Sequence, residues 1–269
     1  MKKYTAVLLL LLTALFGCSK THEEYLSSAE NYYKNKEYDK ALQMYEKSCV
    51  KGSYKACLFL AKAYKSGEIV KQDIKTSENY YKTAFNLTNS CCQENNKDAC
   101  KMLGYLYEKG LGTEKDLIKA DNAFIKACQL GDNVSCYYMA RINADNISDF
   151  IYFTDKACKL NLASACLTLG NTYLTGFNES MAEIEKDIEK GISYINKACE
   201  INSEYCSNLA DIYISGDDLS QNYEMAVKYY ETALSYYSSL CPEKNDDNIA
   251  CKKINIIKSK YSHDNNTIF

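Results

Sequence analysis

Fourteen cysteines stand in this chain of 269 residues, and their spacing decides which chemistry they can do. Cys49/Cys57, Cys92/Cys100, Cys128/Cys136 and Cys158/Cys166 each bracket seven residues, and Cys199/Cys206 and Cys241/Cys251 are near-copies. Thiolates that hold structural zinc come in closer pairs, about two to four residues apart, and a dithiol redox site needs Cys-x-x-Cys. Neither spacing occurs here, and His22 and His263 are the only histidines. No metal site is expected. What remains is oxidation of each pair to a disulfide, which requires an oxidising compartment. A nucleophilic pattern also exists. Ser48-Cys49-Val50-Lys51 places a lysine one helical turn after a serine, the arrangement in which the amine can take the hydroxyl proton. Ser220-Gln221-Asn222 and, loosely, Lys65-Ser66-Gly67 match the accompanying motifs of such a site. They fall at helix ends and loops of separate segments, so Ser48 and Lys51 stand as weak catalytic candidates. No Gly-rich phosphate loop is present and a histidine-dependent triad has only terminal candidates. Glu23-Glu24 and Asp217-Asp218 read as solvated surface.

The N-terminus identifies the compartment. Lys2 and Lys3 precede an apolar run from Ala6 to Leu12, followed by Thr13-Ala14-Leu15-Phe16-Gly17-Cys18. A charged start, a short apolar stretch and a small residue before a cleavage point make residues 1–17 an export signal. The run is too short to span a bilayer comfortably. Leu15-Phe16-Gly17-Cys18 resembles the bacterial lipobox, which implies that Cys18 is acylated and begins the mature chain. Ser19 follows it where inner-membrane retention would use aspartate, implying the outer membrane or periplasm, with secretion as the alternative. Acyl chains anchor stably because each buried CH₂ contributes ~0.8 kcal/mol. Residues 18–23 are then a short linker, and the other thirteen cysteines form six bridges and leave one thiol, assigned to Cys91.

Composition narrows the partners. Net charge is -3 and Arg141 is the only arginine, so the clustered positive charge that binds phosphate backbones is missing and no nucleic-acid partner is expected. No cofactor is indicated. One proline, no tryptophan and 46% hydrophobic residues suit a folded, mostly helical chain.

The cysteines must be held by helices. From Glu24 to Gly52, Tyr25, Ala29, Tyr32 and Tyr33 recur at helical spacing, Asn35-Lys36 turns, and Tyr38, Ala41, Leu42 and Tyr45 resume the period. Beyond this the repeats align on the second cysteine of each pair. The third residue on is Leu60, Leu103, Met139, Leu169 and Leu209, the fourth Ala61, Gly104, Ala140, Gly170 and Ala210, and the seventh Tyr64, Tyr107, Asn143, Tyr173 and Tyr213. These positions share one helix face. The tenth, Gly67, Gly110, Asn146, Gly176 and Gly216, suits a left-handed helix end, as do Gly52, Asn95, Gly131, Asn161 and Asn202, three residues after the first cysteine in five of the six pairs. Each bridge should therefore tie the end of one unit's second helix to the next unit's first. Second cysteines are 43, 36, 30, 40 and 45 residues apart. Two long units carry seven extra residues, two helical turns, and the 30-residue unit from Cys136 is degenerate.

Cys100-Lys-Met-Leu103-Gly104-Tyr-Leu-Tyr107-Glu-Lys-Gly110, Lys115-Asp116-Leu-Ile-Lys119-Ala120 and Lys126-Ala127-Cys128 resemble the Sel1-like repeat, and with the cysteine pairs in phase the chain resembles the Helicobacter cysteine-rich protein family. The resemblance covers about residues 24 to 260. It implies an all-α fold, an α/α superhelix of TPR-like hairpins stapled by disulfides, over a repeat domain of 24–262 with a tail of 263–269. Members of that family are described as penicillin-binding proteins or weak β-lactamases and as secreted proteins that interact with host cells. On the residues themselves, an exported, lipid-anchored scaffold is expected to bind a peptide, a protein or a peptidoglycan-derived ligand on its concave face. Tyr105, Tyr138 and Asn171, just off the packing stripe, could face that groove, with Arg141 and Asn143 adding polar contacts. A weak β-lactamase is the alternative the resemblance implies, and a structural adaptor of the envelope is a further one.

Overall fold

A computed structural model describes residues 22–179, 182–216, 220–241 and 248–265. The export signal, Cys18, Asp217-Asp218 and the last residues of the tail lie outside them. The chain divides into two compact units, one ending at Ser135 and the other beginning at Cys136.

The first unit contains α1 (Glu23–Lys34), α2 (Tyr38–Val50), α3 (Tyr54–Ser66), α4 (Ile74–Gln93), α5 (Lys97–Lys109), α6 (Leu117–Gln129) and the start of α7 (Asn133–Ile142). The second continues with α8 (Ile147–Lys159), α9 (Ala163–Thr175), strands β1 (Phe177–Glu179) and β2 (Ala182–Ile184), α10 (Ile188–Ile201), a 3₁₀ turn at Ser203–Tyr205, α11 (Cys206–Ser215), α12 (Tyr223–Leu240) and α13 (Ile249–Asn265). Within each unit helices pack as successive antiparallel hairpins: α1 on α2, α3 on α4 and α5 on α6, then α9 on α10 and α11 on α12.

One local design recurs in these hairpins. Asp73, Asp116, Asp187 and Asn222 sit in extended backbone before the second helix, each side chain accepting an N–H three residues on, from Thr76, Lys119, Lys190 and Met225, at 2.9–3.0 Å. The same four residues donate their own N–H to the carbonyls of Tyr64, Tyr107, Tyr173 and Tyr213. One residue thus starts the second helix with its side chain and closes the loop onto the first with its backbone N–H. Three of those tyrosines stack on a tyrosine of the second helix: Tyr64 on Tyr80, Tyr173 on Tyr194 and Tyr213 on Tyr229, with centroids 5.8–5.9 Å apart. Tyr107 lies edge-on to Phe85 instead, at 5.2 Å.

The small residue on the stripe sets the interhelical distance. A Cβ built on Gly104 would lie 2.8 Å from the Phe124 ring, and one on Gly170 would lie 2.8 Å from the Gly191 carbonyl and 2.5 Å from Ile195. Buried Leu60, Leu106, Tyr45 and Tyr81 contribute to the core of the first unit; Ile195, Leu209, Tyr230 and Tyr237 contribute to that of the second.

Bridges join Cys49 to Cys57, Cys92 to Cys100, Cys158 to Cys166, Cys199 to Cys206 and Cys241 to Cys251, with Cα atoms 4.5–5.1 Å apart. Cys128 and Cys136 are also disulfide-bonded. Cys91 stands outside the bridges, as a buried thiol.

The helix-end expectations divide. Gly67, Gly110 and Gly216 are left-handed at φ 65° to 75°, and Gly52, Asn95, Gly131 and Asn161 also take positive φ. Asn146 does not end a helix: α7 stops at Ile142, and Asn146 caps the start of α8 through Ser148 and Asp149. Asn202 is extended and caps the 3₁₀ turn, because the Cys199–Cys206 loop is one residue shorter than the others. Gly176 has φ 68° but ψ 168°, a conformation essentially restricted to glycine. It sends the chain out of α9 extended, into an antiparallel hairpin pairing Phe177 with Ile184 and Glu179 with Ala182. The expected all-α fold of helix hairpins holds, and this short hairpin is an insertion in it. Both helices of the degenerate unit form, α7 with ten residues and α8 with thirteen.

Candidate binding surface

The candidate nucleophile occupies the interior. Ser48 is fully buried in α2, and its hydroxyl donates to the His22 carbonyl at 3.1 Å. Lys51 is exposed at the C-terminal cap of the same helix. Ser220 is exposed, Asn222 is spent capping α12, and Lys65-Ser66-Gly67 forms the end of α3. Among the described residues, no three or more of His, Cys, Asp and Glu are grouped to hold a metal ion.

In the first unit Tyr105 is partly exposed on α5. The Tyr81 phenol is pushed up by burial and then by the neighbouring Tyr105. Tyr81 and Ser77 floor a cavity of about 530 Å³ between α4 and the loop Gly110–Glu114, with Lys65, Glu78, Lys82 and Glu114 among its lining. Gly112 forms the loop wall at φ 72°, where a Cβ would strike the Tyr81 carbonyl at 2.2 Å.

In the second unit Arg141 and Asn171 are exposed and Tyr138 is half-buried. Asn143 is half-buried, and its amide donates to the Met139 carbonyl at 2.8 Å, so it finishes its own helix. A more enclosed recess than its neighbours in this unit lies between α9, the 3₁₀ turn, α11, α12 and α13, with a volume of about 310 Å³. Leu167, Ile256 and Ile257 supply its apolar wall, and Glu204, Tyr205, Ser207, Asn208, Asp211, Tyr237 and Lys253 its polar groups. The Tyr230 hydroxyl donates to Asp211, and the Tyr237 hydroxyl to Glu204 Oε1 at 3.4 Å. The Tyr237 phenol is pushed up to about 12, chiefly by burial and then by Glu204. Tyr205 is raised by burial, then by Glu204, Tyr137 and Tyr236. Tyr205 and Tyr237 thus lie near the Glu204 carboxylate, and both shifts keep the phenols protonated at neutral pH.

Glu204, Tyr205 and Tyr237 carried no motif that pattern reading could use. Asp211 had one: it lies five residues after its second cysteine, as do Tyr105, Arg141 and Asn171 after theirs. Extending that register to the fifth pair finds it.

The family model for the Sel1 repeat matches residues 32–53, 55–89, 97–132, 163–203 and 203–235. The intervening segment is the degenerate pair α7 and α8. The cytochrome c oxidase assembly factor 7 homolog of Drosophila melanogaster is 40% identical over 50 residues, which is 18% of this chain and 19% of that protein. The match thus spans about a fifth of that relative's length. The crystal structure of a Sel1 repeat protein from Oxalobacter formigenes superposes with a TM-score of 0.57 at 19% identity, covering 88% of this chain and 99% of that one. A protective antigen of uropathogenic Escherichia coli aligns with a TM-score of 0.47 at 20% identity, over 90% of this chain and 57% of its own.

Proposed function

Because this chain belongs to the Sel1 repeat family, we propose that it is a non-enzymatic scaffold that binds a peptide, a protein or a peptidoglycan-derived ligand. The observation that carries this reading is the recess of the second unit. Side chains of successive repeats converge there as phenols, carboxylates, an amide and aliphatic walls, the mixture that serves recognition. Ser48, by contrast, is inside the core with its hydroxyl engaged. An exported, lipid-anchored location completes the proposal, supported by several disulfides and by the residues that lead up to Cys18. Among the described residues no helix is long and apolar enough to cross a membrane.

The test is titration of the oxidised full chain with soluble peptidoglycan fragments and a set of peptides of varied charge, beside hydrolysis of a chromogenic β-lactam. Saturable binding with no turnover above a mock preparation is the expected result. Turnover that follows the folded protein and disappears in Ser48→Ala would overturn it in favour of a hydrolase.

A further inference from the structure

Glu204 is half-buried in the wall of the second unit's recess, yet it joins no ion pair among the described residues. The Tyr237 hydroxyl reaches its Oε1, and an ionised carboxylate has about four acceptor positions on two oxygens. Asp211 lines the same recess, and Lys253 is the one cationic group in its lining, so the formal balance is one negative charge. The lining is aliphatic and aromatic as well as polar, with Leu167, Ile256, Tyr205 and Tyr237 among it. A long apolar stem would lie along such walls, with a charged tip at the carboxylate, and phenol faces attract a cation. The volume of about 310 Å³ admits one long side chain, not a folded element.

We infer that this recess receives a single lysine or arginine side chain of a polypeptide partner, with its stem between Leu167, Ile256 and the tyrosine rings and its cationic tip on Glu204. The assignment rests on the scaffold reading above and adds the chemistry of the partner.

The experiment uses the oxidised full chain and two probes: a blocked pentapeptide with a central lysine flanked by leucines, and its twin with norleucine in place of lysine. Binding is followed by NMR on amides of residues 203–211. The lysine peptide is expected to shift these signals and to bind about tenfold or more tightly than its twin, as charge-assisted hydrogen bonds warrant, and to weaken with added salt. Glu204→Gln should erase that preference. Lys253→Gln, at an exposed position, should tighten the lysine peptide about two- to fivefold. If both peptides bind equally at the recess, or if Lys253→Gln weakens binding, the cation assignment fails while the scaffold reading stands. If neither peptide binds there, this inference falls, and the wider titration decides the scaffold reading by itself.

Discussion

Gly170 and Gly191 show what a missing side chain contributes. Each would place a Cβ within 3 Å of the other's carbonyl, so α9 and α10 touch backbone to backbone. Gly170→Ala should therefore destabilise the chain by about 1–3 kcal/mol, read as a shift in the urea midpoint. Asp132 illustrates charge at the same scale. It is 5% exposed, and Lys101 lies 2.7 Å away. Burial pulls its carboxyl up, but Lys101 and the Ser135 hydrogen bonds together hold it below the ordinary value. A depressed folded value means that its stabilisation is fully present above the unfolded carboxylate value, near pH 4, and is lost as pH falls through the folded one. Asp132→Asn should lower stability at pH 7 and flatten the acid limb below about pH 4, measured by urea unfolding across that range. Gly170 stood out in the sequence as the small residue of the stripe, but neither Lys101 nor Asp132 did, because the position of Lys101 against Asp132, 31 residues away, exists only once the hairpins have packed.

At the scale of the element, the N-cap and the bridge do most of the local specification. Asp116→Ala removes both the side-chain acceptor for the Lys119 N–H and the favourable charge at the start of α6, and should cost about 1 kcal/mol. Replacing Cys158 and Cys166 by alanine opens a loop of nine residues, for which the chain-entropy estimate is about 2.6 kcal/mol. Calorimetry of that double variant, beside the parent with and without reductant, measures it. Element boundaries were legible where glycine alone suits the left-handed end, as at Gly67, Gly110 and Gly216. They were not legible at Asn146 and Asn202, since asparagine both ends and starts helices, and the loop length decides which.

For the molecule as a whole, location and partner matter most. If Cys18 is acylated, Cys18→Ser should move the protein from the membrane fraction to the soluble one and abolish incorporation of a labelled fatty acid. Unchanged fractionation would remove the anchor from the proposal. The repeat class, the hairpin order and the stripe of Leu60, Leu103, Leu169 and Leu209 followed from sequence alone, because each depends on local periodicity and capping, which repeat in register with the cysteines. Three features were decided only by tertiary structure: the burial of Ser48, the β1–β2 hairpin, and the meeting of Glu204, Tyr205 and Tyr237 with Leu167 and Ile256 around one recess. The first and third depend on residues far apart in the chain, and side-chain burial is a property of what packs above a residue, not of its neighbours in sequence; the hairpin is local, but it turns on the extended ψ of Gly176, which a glycine read as a helix end does not announce.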